Sequence, residues 1–227
     1  MKRRLGDVLF IWIICLLMVF FYYGYGLKGF AIVLWILFLP LYLLRLLVWS
    51  FWLGLRQWLS VKFTPKSYVI LVFCIWGSLS VLLWLYIPNI LSSVGKFPLP
   101  TWVRIVGFIL AAWGLILSFW AQWLIGFKTA ILITRIFNKW TIKNQRVIKT
   151  GPYALFPHPI FIGEWLIIFG CLLLTLETAL LYLLLAAFLV DIFAARGEEK
   201  DLKERFGKEY QDYRSQILLL IKRKGKG

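Results

Sequence analysis

Six apolar stretches, at residues 8–23, 30–54, 68–88, 102–125, 160–175 and 178–195, make up most of this chain. A helix needs about 20 apolar residues to cross the hydrocarbon core of a bilayer. In lipid the backbone has to satisfy its own hydrogen bonds, which leaves helices and closed barrels. Runs of this length predict an all-α, polytopic membrane protein of about six transmembrane helices. Composition agrees: 62% of the residues are hydrophobic and 16% charged, where a soluble domain carries about 25% charged residues. The 13 Trp are of a type enriched at membrane interfaces. Gly and Pro punctuate the gaps, at Gly24, Gly26 and Gly29, at Pro65, at Pro88, Pro98 and Pro100, and at Pro152, Pro157 and Pro159. Pro40 falls inside the second stretch and is a candidate kink.

Met1-Lys2-Arg3-Arg4 ahead of the first stretch resembles a signal peptide, but Gly24-Tyr25-Gly26 offers no small-x-small cleavage site, so an uncleaved first helix is expected. The fifth and sixth stretches are separated only by Leu176-Glu177, which predicts a tight helical hairpin. The sixteen residues of the fifth would reach roughly 24 Å, short for a crossing. With six spans and both termini cytoplasmic, the outer loops hold only Lys28, Lys96 and Arg104 of the 26 Lys and Arg. The positive-inside rule therefore selects that multi-pass arrangement. Residues 1–125 are expected to form a four-helix membrane region and 126–227 a carboxy-terminal ligand-binding region. Segment 126–150 reads as an interfacial helix or loop.

The net charge of +16 does not point to nucleic acid. The basic residues lie between apolar runs and at the chain ends, where anionic lipid headgroups explain them. Cys15, Cys74 and Cys171 each fall inside an apolar run and show no metal-ligand spacing, so they read as small buried hydrophobes, and no metal site is expected.

Ionisable residues within membrane helices are costly and point to function. Glu164 lies one turn into the fifth span and Asp191 one turn before the inner end of the sixth, followed by Arg196, Glu198 and Glu199; the only histidine, His158, just precedes the fifth. Antiparallel packing of the two spans would bring all six to one depth at the cytoplasmic side. Carboxylates, a histidine and an arginine suit a charged organic ligand. No Walker, dinucleotide-glycine or Gly-x-Ser-x-Gly motif accompanies them. Beyond them, Leu202, Phe206, Tyr210, Tyr213 and Ile217 recur at helical spacing opposite Lys200, Lys203, Arg205, Lys208 and Arg214. That is an amphipathic cytoplasmic helix, either on the membrane surface or folded back over the polar cluster, with Gly207 as a candidate break.

Two blocks of sequence carry a resemblance. Lys149-Thr150-Gly151-Pro152-Tyr153 with His158-Pro159-Ile160-Phe161-Ile162-Gly163-Glu164, and Arg196-Gly197-Glu198-Glu199 with Leu202, Phe206-Gly207, Tyr210 and Tyr213, resemble the signature of integral-membrane methyltransferases of the isoprenylcysteine carboxyl and phospholipid types. The resemblance spans roughly 145–217. It departs from the family pattern at Pro157, where Arg is usual, and at Phe161, where Tyr is usual. It implies S-adenosylmethionine as cofactor, bound by Tyr153, His158, Pro159, Gly163, Glu198 and Glu199. It also implies a lipid or prenylated acceptor entering between helices from the membrane. Arg196 would orient an anionic acceptor, and Glu164 or Asp191 would take the proton from an amine acceptor. Two other readings stand beside it: an NADPH-dependent reductase of the membrane steroid-reductase type, which shares a similar hairpin, and a non-catalytic membrane scaffold.

Overall fold

A computed structural model describes residues 22–51, 58–59, 61–126 and 147–224, with side chains for all of these except Pro65 and 218–224. Among the described residues, six α-helices carry the architecture: α1 (Lys28–Ser50), α2 (Pro65–Val94), α3 (Val103–Ile125), α4 (Pro159–Thr175), α5 (Ala179–Phe206) and α6 (Lys208–Lys224), with a 3-10 turn at Gly151–Ala154. Four of them, α1, α2, α3 and α5, are long and apolar enough to cross a membrane, and α4 is a shorter apolar helix. The all-α polytopic membrane fold expected from the sequence is thus observed. Most of the first expected span, and residues 127–146 of the expected interfacial segment, lie outside the described residues.

Helix α1 sits at the centre. Its first half is buried on every side, through Ala31, Ile32, Val33, Leu34, Ile36 and Leu37, and it packs against α2, α4 and α5. It runs unbroken through Pro40. Pro40 has no N–H to offer the carbonyl one turn back; that carbonyl, on Ile36, accepts from the Ser80 hydroxyl of α2 at 3.1 Å, and the Leu37 carbonyl accepts from Trp76 Nε1 at 3.3 Å. A neighbouring helix thus supplies what the proline removes. The α2 start is specified locally: Thr64 Oγ1 accepts from the Ser67 N–H at 3.2 Å and Ser67 Oγ from the Thr64 N–H at 2.9 Å, a reciprocal cap ahead of Pro65.

Helices α3 and α4 pack antiparallel at very close range. A Cβ on Gly107 would lie 2.6 Å from the Gly170 carbonyl oxygen, and one on Gly114 would lie 2.6 Å from that of Gly163. Small residues allow such an approach, and in lipid, where no hydrophobic drive separates helix from solvent, close van der Waals packing holds helices together.

The hairpin between α4 and α5 is three residues long, Leu176 to Thr178, with Leu176 left-handed at φ 63°. It docks on the α2–α3 connection. The Phe97 N–H donates to the Leu176 carbonyl at 2.8 Å and the Thr178 N–H to that of Gly95 at 3.2 Å. Glu177, 1% exposed, pairs with Lys96 at 3.3 Å. Lys28 reaches Ser92 at the same end. Cys171 is buried as expected; Cys74 is instead exposed on α2, and Cys15 lies outside the described residues.

At the opposite end, α5 departs from the expected boundary. It continues eleven residues past 195, as far as Phe206, because Glu198–Phe206 is rich in good helix formers and Arg205 pairs with Asp201 at 3.5 Å. The chain turns at Gly207, φ 51°, a conformation natural to glycine, and α6 folds back. Its apolar stripe, Tyr210, Tyr213 and Ile217, is buried against Leu202, Phe206 and Val147. The spacing-derived stripe is therefore correct, and it faces protein.

Candidate functional site

The Pro157-His158-Pro159 sequence sets the first element of the site. Pro159 begins α4, where a proline costs no hydrogen bond, and a residue before proline is kept out of helical geometry. His158 accordingly takes φ −128° and ψ 63° and makes no side-chain cap. Its ring turns to the overhang of α5: Nδ1 lies 3.2 Å from Glu198 Oε2, and Nε2 lies 3.7 Å from Glu199 Oε1. The second distance is that of an ion pair without a hydrogen bond. The ring also stacks on Phe161, with centroids 5.4 Å apart and planes 7° from parallel. Burial works against a charge on His158, but the bonding and charge of Glu198 and Glu199 outweigh it and raise its pKa above the ordinary value.

Helix α6 closes over this group. Arg214 Nη2 donates to Glu199 Oε1 at 2.6 Å, the Tyr213 hydroxyl donates to the Tyr153 carbonyl at 2.7 Å, and Lys149 pairs with Glu209 at 3.7 Å. Burial pushes the Tyr213 hydroxyl up to about 12, against the pull of Arg214. Tyr210 is 2% exposed. Burial first, then the nearby Glu199 charge, raises its pKa as well. Two buried polar atoms here, His158 Nε2 and the Tyr210 hydroxyl, have no hydrogen-bond partner among the described residues.

A second polar group lies deeper, between α1, α4 and α5. Arg45 grips Glu164 with both terminal nitrogens, at 3.0 and 3.1 Å, and also bonds Asp191 Oδ1. Trp165 Nε1 donates to Asp191 Oδ2 at 2.8 Å, and the Tyr42 hydroxyl reaches Glu164 Oε2 at 3.4 Å. Asp191 is 0% and Glu164 5% exposed. A buried carboxylate is tolerated when it is paired and hydrogen-bonded, and both of these are.

The one cluster expected at a single depth is therefore two. His158, Glu198 and Glu199 form the outer group; Glu164 and Asp191 form the inner one. The cause is the length of α5, since seven residues of helix between Asp191 and Glu198 span about 10.5 Å. Arg196 belongs to neither; it is exposed. Tyr153 meets α6 through its carbonyl, and Pro159 is buried at the start of α4. Gly163 turns its open side to α3, where an added Cβ would meet Ser118 Oγ at 2.1 Å, so its smallness serves helix packing. The sequence reading passed over Arg45, Tyr42, Trp165, Tyr210 and Arg214 as site residues. Arg45 had a signal, as a charged residue inside an apolar run. Trp165 and Tyr42 had none, because aromatic residues abound in every span.

Residues 102–209 match the phospholipid methyltransferase family model. This part of the chain is similar to integral-membrane methyltransferases. The matched segment runs from the start of α3 into the first turn of α6, so it holds His158, Glu164, Asp191, Glu198 and Glu199 and leaves α1 and α2 outside. The chain is also similar to methanethiol S-methyltransferase 2 of Bradyrhizobium diazoefficiens, 30% identical over 137 residues, which are 56% of this chain and 51% of that protein. The match thus spans about half the length of that curated relative. No solved structure matches significantly.

Proposed function

We propose that the protein transfers a methyl group from S-adenosylmethionine to an acceptor that reaches the site from the membrane. One observation carries this reading. A histidine bracketed by two carboxylates lies under α6, and two buried polar atoms there, its own Nε2 and the Tyr210 hydroxyl, have no hydrogen-bond partner among the described residues. Buried polar groups are normally satisfied, so these call for a polar molecule. S-adenosylmethionine fits the donor and acceptor set. Glu198 and Glu199 would accept from its ammonium or ribose hydroxyls, and the Tyr210 hydroxyl and His158 would donate to its carboxylate. Residues 126–227 would form the donor-binding region, framed by the helices before it.

S-adenosylmethionine, when bound, would supply an electrophilic methyl group that the acceptor takes by in-line displacement, with S-adenosylhomocysteine as the leaving group. What the protein adds is alignment and the exclusion of water. His158 is held by Glu198 and Phe161, and α6, pinned by Tyr213 and Arg214, covers the group from the water side. Glu164 and Asp191, both engaged by Arg45, suit orientation better than proton removal. The leading acceptor is a lipid or isoprenoid-bearing molecule, because α3 and α2 present broad exposed apolar faces through which it could approach. A small thiol is the second reading, favoured by the name of the relative. The Lys/Arg distribution supports a cytoplasmic location for the His158 end and both termini, where a soluble cofactor would be found.

Calorimetric titration of detergent-solubilised protein tests the cofactor. Glu199→Gln keeps the size and removes the charge; losing a charged hydrogen bond costs about 1.5–3 kcal/mol, or roughly ten- to hundred-fold in affinity. Unchanged S-adenosylmethionine affinity in both Glu199→Gln and His158→Ala would remove the assignment, and binding of NADPH by the wild type would favour a reductase. Labelled-methyl transfer into membrane lipids against transfer to a small thiol separates the acceptors.

A further inference from the structure

The outer and inner polar groups share one side chain, Phe161. The Arg45 guanidinium lies over the Phe161 ring, 4.5 Å from its centroid, while the His158 ring stacks on the same phenyl. One turn beyond Arg45 on α1, Trp49 is buried with Phe161 and Ala194. It touches Gly197 so closely that a Cβ there would meet its ring at 2.4 Å. Helix α1 therefore bears on both halves of the outer site, on His158 through Phe161 and on Glu198 through the adjoining Gly197. Yet α1 lies outside the segment that matches the methyltransferase family.

We propose that Arg45 is a positioning residue for the His158–Glu198–Glu199 site, fixing the Phe161 ring against which His158 is held. This rests on the reading of that site as the methyl-donor site. A plain counter-charge would neutralise Glu164 and Asp191 equally well. The geometry asks for more. The planar guanidinium holds Glu164 with two bonds from its two terminal nitrogens, takes Asp191 with a third, and keeps its central carbon over the Phe161 ring, a combination that an ammonium cannot reproduce. Stacked cations of this kind are held by the ring's electrostatics. Tyr42, 5.5 Å from the guanidinium by ring centroid, adds a second aromatic neighbour. Phe161 itself is 6% exposed, so its position is set by these neighbours and not by water.

The chain has one histidine, so a full-length sample in detergent with labelled histidine gives a single imidazole signal, whose shift reports the ring current of Phe161 even without ligand. The neutral triple variant Arg45→Gln, Glu164→Gln, Asp191→Asn leaves no buried charge uncompensated and should unfold near the wild-type temperature. Its His158 signal should nevertheless move, and its S-adenosylhomocysteine affinity should fall roughly tenfold. Arg45→Lys, which keeps the charge, should move the signal in the same sense. Phe161→Leu, which leaves the ion cluster whole, should move it furthest. A triple or Lys variant that folds and keeps the wild-type signal and affinity would reduce Arg45 to a counter-ion and overturn the proposal, as would an unmoved signal in Phe161→Leu. If S-adenosylhomocysteine fails to shift the signal of the wild type, the donor assignment falls by itself, because the free protein still reports the link from Arg45 to His158.

Discussion

Gly170→Ala and Gly77→Ala add the same methyl group to two membrane helices, and the structure gives them opposite signs. At Gly170 the new Cβ would stand 2.4 Å from the Ala111 backbone nitrogen and 2.6 Å from the Gly107 carbonyl oxygen. Ordinary contact begins about 1 Å further out, near 3.5 Å, and backbone atoms cannot rotate aside, so α3 and α4 must separate over that stretch. Overpacking of this kind costs about 1–3 kcal/mol, and backbone neighbours put it at the upper end. Alanine returns up to about 1 kcal/mol of helix propensity, which leaves a net loss of about 1–2 kcal/mol. At Gly77, in α2, nothing among the described residues outside its own stretch of helix lies within 4 Å of the added carbon, so only the propensity gain remains. Thermal unfolding of both variants in one detergent should place Gly170→Ala below the wild type and Gly77→Ala at or above it. Because α4 begins immediately after His158, the Gly170 variant should also bind the proposed methyl donor less well. A Gly170→Ala midpoint at or above wild type would refute the claim that close backbone contact holds α3 to α4.

The raised pKa of His158 predicts a pH dependence of stability. The protonated ring's contribution is fully present below the unfolded value of about 6.5 and disappears as pH rises through the raised folded value. The midpoint difference between wild type and His158→Gln should therefore be largest on the acid side and shrink as pH rises; a difference constant between about pH 5.5 and 9 would contradict it. Tyr213→Phe removes the hydroxyl that bonds the Tyr153 carbonyl at 2.7 Å, a loss of about 0.5–1.5 kcal/mol. Protease cleavage after α5 should then quicken, and unchanged cleavage would show that α6 is held without it.

Several features could be read from residues alone for local reasons. Apolar runs of sufficient length fix the membrane helices, since lipid leaves the backbone no other partner. Leu202, Phe206, Tyr210, Tyr213 and Ile217 announce their shared face because helical periodicity depends only on spacing. His158, Glu198 and Glu199 could be brought together from two motif blocks and one antiparallel hairpin, because a hairpin fixes which ends meet.

Tertiary structure decided the rest. Only the packing of α1 onto the α4–α5 hairpin reveals that Glu164 and Asp191 are held by Arg45, a pairing across more than a hundred residues for which no local pattern exists. Only the full course of α5 reveals that its helix outlasts its apolar run, because apolarity stops at the membrane surface while helix propensity continues to Gly207. The role of Gly163 changed for the same reason. Sequence assigns a glycine freedom but not a neighbour, and the neighbour is α3. Burial and pairing of charge depend on what other segments bring, so the sequence names the ionisable groups and the fold alone decides which of them stay open to a ligand.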